Sequence, residues 1–159
     1  MTEHRVRVAD HAVGGAGDTL STVGLGSCVA IMLHAPRAKV GAMAHVLLPS
    51  ESLARGVQPR AKFASAAVPL LLHDLKAKGV AEPLVAKIVG GAAMFASLLK
   101  TGGVNMGERN IEAVRVALKL ANIPIVGEDV GGDFGRSVYF TPADGQVLVR
   151  SLRGGDRAL

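Results

Sequence analysis

Cys28 and His45 are the two residues whose types and spacing suggest chemistry in this chain. Cys28 is the only cysteine, His45 follows it in an apolar run, and Thr22 precedes it. A thiol beside an imidazole is a nucleophile beside a general base. The hydroxyl or carbonyl of Thr22 can hold the imidazole in one tautomer. Such a set is suited to attack on a carbonyl carbon through a covalent thioester. The glycines of Gly24-Leu25-Gly26-Ser27 let the chain turn tightly ahead of the cysteine. That turn brings the backbone at Gly26, Ser27 and Cys28 close to a ligand, where N–H groups would stabilise an oxyanion.

Two short elements must position these residues. The apolar runs Val29–Leu33 and Val40–Leu48 flank Ala35-Pro36-Arg37-Ala38-Lys39 and read as a β-hairpin. With Ala35–Ala38 as the loop, His34 pairs with Lys39 and Cys28 stands directly opposite His45. Directly opposed Cβ atoms lie about 5 Å apart, close enough for a thiolate–imidazolium pair. A slip of one residue would put the two on opposite faces. Each residue also has an ordinary reading. A cysteine in an apolar run packs as a small hydrophobe. A histidine among Met43, Val46 and Leu47 is by default a hydrogen-bonded core residue, and Thr22 by default a strand threonine.

The segments T-V-G-L-G-S-C at 22–28 and G-A-M-A-H at 41–45 resemble the signature of the CheD family, the chemoreceptor glutamine deamidases of bacterial and archaeal chemotaxis. A-K-I-V-G-G-A-A-M-F at 86–95, M-G-E-R-N at 106–110 and D-V-G-G-D-F-G-R at 129–136 extend the resemblance almost to the end of the chain. Phe63 and Ser65 depart from it, since relatives tend to carry Tyr and Asp near that helix start. The resemblance implies a catalytic set of Thr22, Cys28 and His45, hydrolysis of glutamine side-chain amides on chemoreceptor cytoplasmic helices, and release of ammonia. It implies no metal or organic cofactor, and a second partner in a CheC-like phosphatase. A Cys–His peptidase or transglutaminase is the rival within chemistry. The rival from another class is a non-catalytic chemotaxis regulator that docks on receptors or on the phosphatase with its cysteine idle.

Bulk properties narrow the classes. The chain has 159 residues, 49% of them hydrophobic, which suits one domain with a substantial core. A single cysteine excludes an intrachain disulfide, and no Cys/His spacing suggests zinc. Met1–Asp18 carries no apolar signal run, and no apolar run approaches the ~20 residues that span a bilayer. The expectation is a soluble, cytoplasmic protein without membrane insertion. The formal charge of +5 is paired with only 3% aromatic residues and no basic helix, which argues against nucleic acid; the scattered Arg and Lys read first as a solvated surface, with attraction to an acidic protein partner as the sharper reading. Gly24-Leu25-Gly26 lacks the third glycine of a dinucleotide fingerprint, and Gly131–Arg136 lacks a P-loop's Lys-Ser/Thr pair.

The remaining pattern places the frame. Residues 4–13 alternate and read as one strand, followed by a strand Thr19–Val23. A helix covers Lys62–Lys78 despite Pro69, and a second covers Glu108–Ala121, capped by Asn105 or Gly107. A short helix Met94–Leu99 lies between them. Leu84–Val89 and Ile123–Glu128 read as strands, and Ser137–Thr141 with Gln146–Leu152 as a last hairpin. Asp129 and Arg136 are placed to pair. His4, His11, His34 and His73 read as surface or strand-edge residues. Seven or eight strands with hairpins at both ends predict an α+β, layered α/β sandwich with mixed, mainly antiparallel sheets and two or three helices outside.

Overall fold

The computed structural model of the chain describes residues 2–93 and 105–159. Its strands are β1 (Thr2–Arg5), β2 (His11–Gly14), β3 (Asp18–Leu25), β4 (Val29–Ala35), β5 (Val40–Val46), β6 (Val85–Gly90), β7 (Ile125–Val130), β8 (Arg136–Thr141), β9 (Gln146–Ser151) and β10 (Gly155–Ala158). Its helices are α1 (Ala64–Ala77) and α2 (Met106–Leu120). One sheet has the order β1-β3-β8-β9-β10, the other β2-β5-β4-β6-β7. Only β1–β3 and β6–β7 are parallel pairs, so both sheets are mixed and mainly antiparallel, as the sequence predicts.

The central hairpin explains the layering. Strands β4 and β5 are buried along both faces, which is why they read as unbroken apolar runs. Val29, Ile31, Leu33, Ala42, Ala44 and Val46 face α1 and α2, where they meet Ala67, Val68, Leu71, Leu75, Val114 and Leu118. Ala30, Met32 and Met43 face the other sheet and meet Leu20, Val138, Phe140 and Val147. The result is sheet on sheet on helices, with two cores separated by the middle sheet. Each fully buried leucine of the helix layer contributes about 2 kcal/mol by leaving water. Both helices lie on one outer side.

The helix ends follow local chemistry. Asn105 caps α2, its side chain accepting from the Glu108 N–H at 3.0 Å. At the end of α1, Gly79 (φ 81°) donates to Lys76 O and Val80 to Leu75 O, the paired bonds of a left-handed C-terminal cap. Pro69 sits on the exposed side of α1, so the helix continues through it.

Three expectations change, and a fourth falls on residues that are not described. Residues 4–13 form two strands in different sheets, because Val6 is drawn into the inter-sheet core and Ala9 turns the chain at φ 66°. Strand β10 was not foreseen: all four of its residues are exposed, so backbone pairing with β9 defines it and no apolar pattern announces it. His34 is buried, with Nε2 2.8 Å from the Pro142 carbonyl and its ring edge-on to Phe140. The short helix expected at Met94–Leu99 lies outside the described residues.

Candidate active site

The hairpin register differs from the sequence expectation by two residues. Ala35 pairs with Val40 and the loop is Pro36–Lys39, closed by Lys39 at φ 55°. Ala30, not Cys28, therefore stands opposite His45. A shift of two preserves the face. Cys28, two positions before Ala30, stays on the side of Ala30 and Met32, and His45 lies on the side of Met43, both turned toward the other sheet. The pair is diagonal rather than directly opposed.

Thr22 arrives from that other sheet. A bulge in β3 shifts the register between Thr22 and Leu25, with Gly24 at φ 71°. The extra residue lets Thr22 and Leu25 both point inward while Val23 and Gly24 remain exposed. The Thr22 hydroxyl lies 2.7 Å from His45 Nδ1 and 2.6 Å from the Val6 carbonyl oxygen. A carbonyl can only accept, so the hydroxyl donates to Val6 and accepts from Nδ1–H. The imidazole is thereby held with its proton on Nδ1 and its lone pair on Nε2. Nε2 is buried and, among the described residues, has no hydrogen-bond partner. The turn after β1 grips the same residue by its backbone, with Ala9 N–H donating to His45 O at 2.9 Å and His45 N–H to Asp10 O at 3.2 Å.

Burial sets the charge state. His45 is pulled down to about 4 by loss of water, and burial pushes the Cys28 thiol up, offset in part by its own backbone amide. The resting pair is thus a neutral thiol and a neutral imidazole, rather than the ion pair that the spacing alone suggests. Cys28 retains 8% exposure, against 1% for His45 and 0% for Thr22.

The turn at Gly26–Cys28 is held from behind. Ala92 N–H donates to Gly26 O at 2.8 Å and Gly91 N–H to Cys28 O at 2.8 Å. Asn110 Nδ2 donates to Ser27 O at 2.9 Å and to Leu47 O at 3.0 Å. Gly90 (φ 117°) approaches so closely that a Cβ there would lie 2.2 Å from the Cys28 carbonyl oxygen. Ser27 and Gly26 are part-buried beside the thiol. Val6, Gly90, Gly91 and Asn110 were not singled out for a role from sequence. Asn110 had a signal: it is a polar residue on the face of α2 that carries Ile111, Val114 and Leu118. Among the described residues no cluster of His, Cys, Asp or Glu could hold a metal.

Fold and site together define a layered sandwich with a thiol, an oriented imidazole and a threonine in one seam between two sheets. The chain belongs to the CheD family. The family model described as CheD chemotactic sensory transduction matches residues 47–151. A probable chemoreceptor glutamine deamidase CheD 2 from Geobacter metallireducens is 43% identical over 150 residues, covering 93% of each chain. The chemoreceptor glutamine deamidase CheD of Thermotoga maritima is 44% identical over 153 residues, 96% of this chain and 94% of its own. A probable chemoreceptor glutamine deamidase CheD from Caldanaerobacter subterraneus is 40% identical over 153 residues, 95% and 94% of the two chains. The family-model match begins after His45, but these alignments span the Thr22–His45 region as well.

Proposed function

We propose that this protein hydrolyses the side-chain amide of selected chemoreceptor glutamines, with Cys28 as nucleophile, His45 as general base and acid, and Thr22 as the group that orients the imidazole. The observation that carries this reading is the Thr22–His45 hydrogen bond, which leaves Nε2 as an unpartnered base on the face that also carries Cys28. The names of the relatives supply the substrate class.

Because both groups rest neutral, the thiol proton moves to Nε2 as sulfur attacks the γ-carboxamide carbon. The oxyanion that forms is stabilised by backbone N–H groups of the Gly26–Cys28 turn. As the C–N bond breaks, Nε2–H gives its proton to the departing ammonia and a γ-glutamyl thioester remains. Water then attacks the thioester while Nε2 takes its proton, and thiol and glutamate are released. Every proton passes through Nε2, so the tautomer fixed by Thr22 serves both halves. No step calls on a metal or organic cofactor. The acceptor is water, which distinguishes this chemistry from transglutamination, and the protein chain is left uncut, which distinguishes it from peptidase action.

The work place of such an enzyme is the cytoplasm, beside the receptor's signalling helices, with a CheC-like phosphatase as a second partner. The test is the intact mass of a receptor cytoplasmic fragment after incubation. Each event adds about 1 Da as –NH₂ becomes –OH. A gain with the native protein and none with Cys28→Ala is expected. No gain from either, with binding retained, would make the protein a non-catalytic regulator.

A further inference from the structure

Three successive carbonyls run through the nucleophile turn, and each is tied to a different donor. Gly26 O accepts from Ala92 N–H, Ser27 O from Asn110 Nδ2, and Cys28 O from Gly91 N–H. In a trans peptide the C=O of one residue and the N–H of the next lie in one plane and point in opposite directions. Tying the Gly26 carbonyl therefore aims the Ser27 N–H, and tying the Ser27 carbonyl aims the Cys28 N–H. Among the described residues neither amide donates to a backbone carbonyl in this turn. Both are directed away from the β6–α2 side that holds the carbonyls.

We propose that Asn110 is the positioning residue of this site: its carboxamide clamps the Ser27 carbonyl to the Leu47 carbonyl, and so aims the Cys28 amide at the developing oxyanion while fixing the nucleophile turn against the strand that carries His45. Leu47 lies two residues beyond His45. One NH₂ group, with one hydrogen on each arm, thus anchors the Ser27 carbonyl to the chain just beyond that strand. The side chain is fully buried on the apolar face of α2, and its two carbonyl partners can only accept, which fixes which end of the amide faces them. Among the described residues its Oδ1 has no partner. An apolar residue would avoid leaving that acceptor dry, so the position is polar for what the NH₂ does. The inference rests on Cys28 acting through a tetrahedral intermediate.

The test compares the native protein with Asn110→Asp and Asn110→Leu, neither of which can donate two hydrogen bonds there, and with Asn110→Gln, which keeps the donor. Deamidation kinetics are set beside the rate at which iodoacetamide alkylates Cys28. Alkylation displaces iodide at a saturated carbon and builds no oxyanion. The expected result is a kcat lower by about 100-fold or more in the Asp and Leu variants, the loss typical of a missing oxyanion donor. KM and the alkylation rate change little, and Gln recovers part of kcat. Undiminished kcat in both variants, or alkylation falling in step with kcat, overturns the inference. Native protein that is alkylated but never deamidates overturns the deamidase reading instead. The Cys28 amide signal in a ¹H–¹⁵N spectrum then decides the positioning role: a displaced signal in Asn110→Leu supports it, an unmoved one overturns it.

Discussion

His45 sits at the meeting point of two sheets, and each of its polar atoms but one is spoken for. The backbone is held by Ala9 and Asp10, Nδ1 by Thr22, and Nε2 is left bare. Replacing Thr22 by Val keeps the shape and removes the acceptor for Nδ1–H. The imidazole then loses its fixed tautomer, and kcat for deamidation falls roughly 100-fold, the low end of what positioned acid–base catalysis supplies. Thr22→Ser keeps the hydroxyl and stays within a few-fold of native, and equal activity in all three proteins would sink the assignment. Burial of His45 also has a stability consequence. The unfolded chain takes up a proton near 6.5, whereas the folded chain resists it until about 4. Stability from this residue is complete above pH 6.5 and is lost as pH falls toward 4, by on the order of 3 kcal/mol. Urea denaturation of the native protein and His45→Gln at pH 7 and near pH 5 checks this. The native protein should lose more on acidification, and parallel losses would contradict the buried-neutral state.

At the scale of elements, the hairpin that carries Cys28 and His45 was legible because both of its strands are buried on two faces and bounded by turn residues. Its register was not, since both possible four-residue loops contain Pro36 and differ only in which neighbour closes them. Lys39 at φ 55° decides for Pro36–Lys39, a backbone choice that a lysine side chain does not advertise. The common face survived because the error was even. The double glycine at 90–91 was visible as a chain break, but its purpose, close approach to the Cys28 carbonyl, needs the partner strand in place. That purpose makes a prediction about two glycines. Gly24→Ala meets nothing within 4 Å and bears only the strain of φ 71°. Gly90→Ala bears φ 117° and a Cβ 2.2 Å from the Cys28 oxygen. Gly90→Ala should cost about 2–4 kcal/mol and Gly24→Ala about 1 kcal/mol. Denaturant midpoints measure both, and equal losses would mean that the turn yields freely.

For the whole molecule, apolar periodicity foretold a core but not its partition. The stripes of α1 and α2 say that a face is buried, not against what, so the placement of both helices on one side of the middle sheet emerges only from the fold. Charge distribution is the other molecular property. The formal charge is +5, and exposed cations are dense in the two segments that bracket His45. Arg7 precedes the turn that grips its backbone, and Arg55 and Arg60 follow its strand, against Asp10 and Glu51, while Arg5 is paired with Glu3. Val8, Leu53 and Val57 are exposed on the same segments. A receptor helix rich in Glu and Gln would be drawn to such a rim over a Debye length of about 8–10 Å, and salt would weaken that attraction. Raising NaCl from about 50 to about 300 mM should therefore raise KM for a receptor fragment several-fold, mainly through slower association, while kcat and the alkylation of Cys28 hold steady. Arg55→Glu combined with Arg60→Glu should blunt the salt dependence and raise KM at low salt without touching kcat. A KM indifferent to both salt and charge reversal would place recognition in the apolar contacts of Val8, Leu53 and Val57 instead, and would leave the positive rim without a part in choosing the substrate.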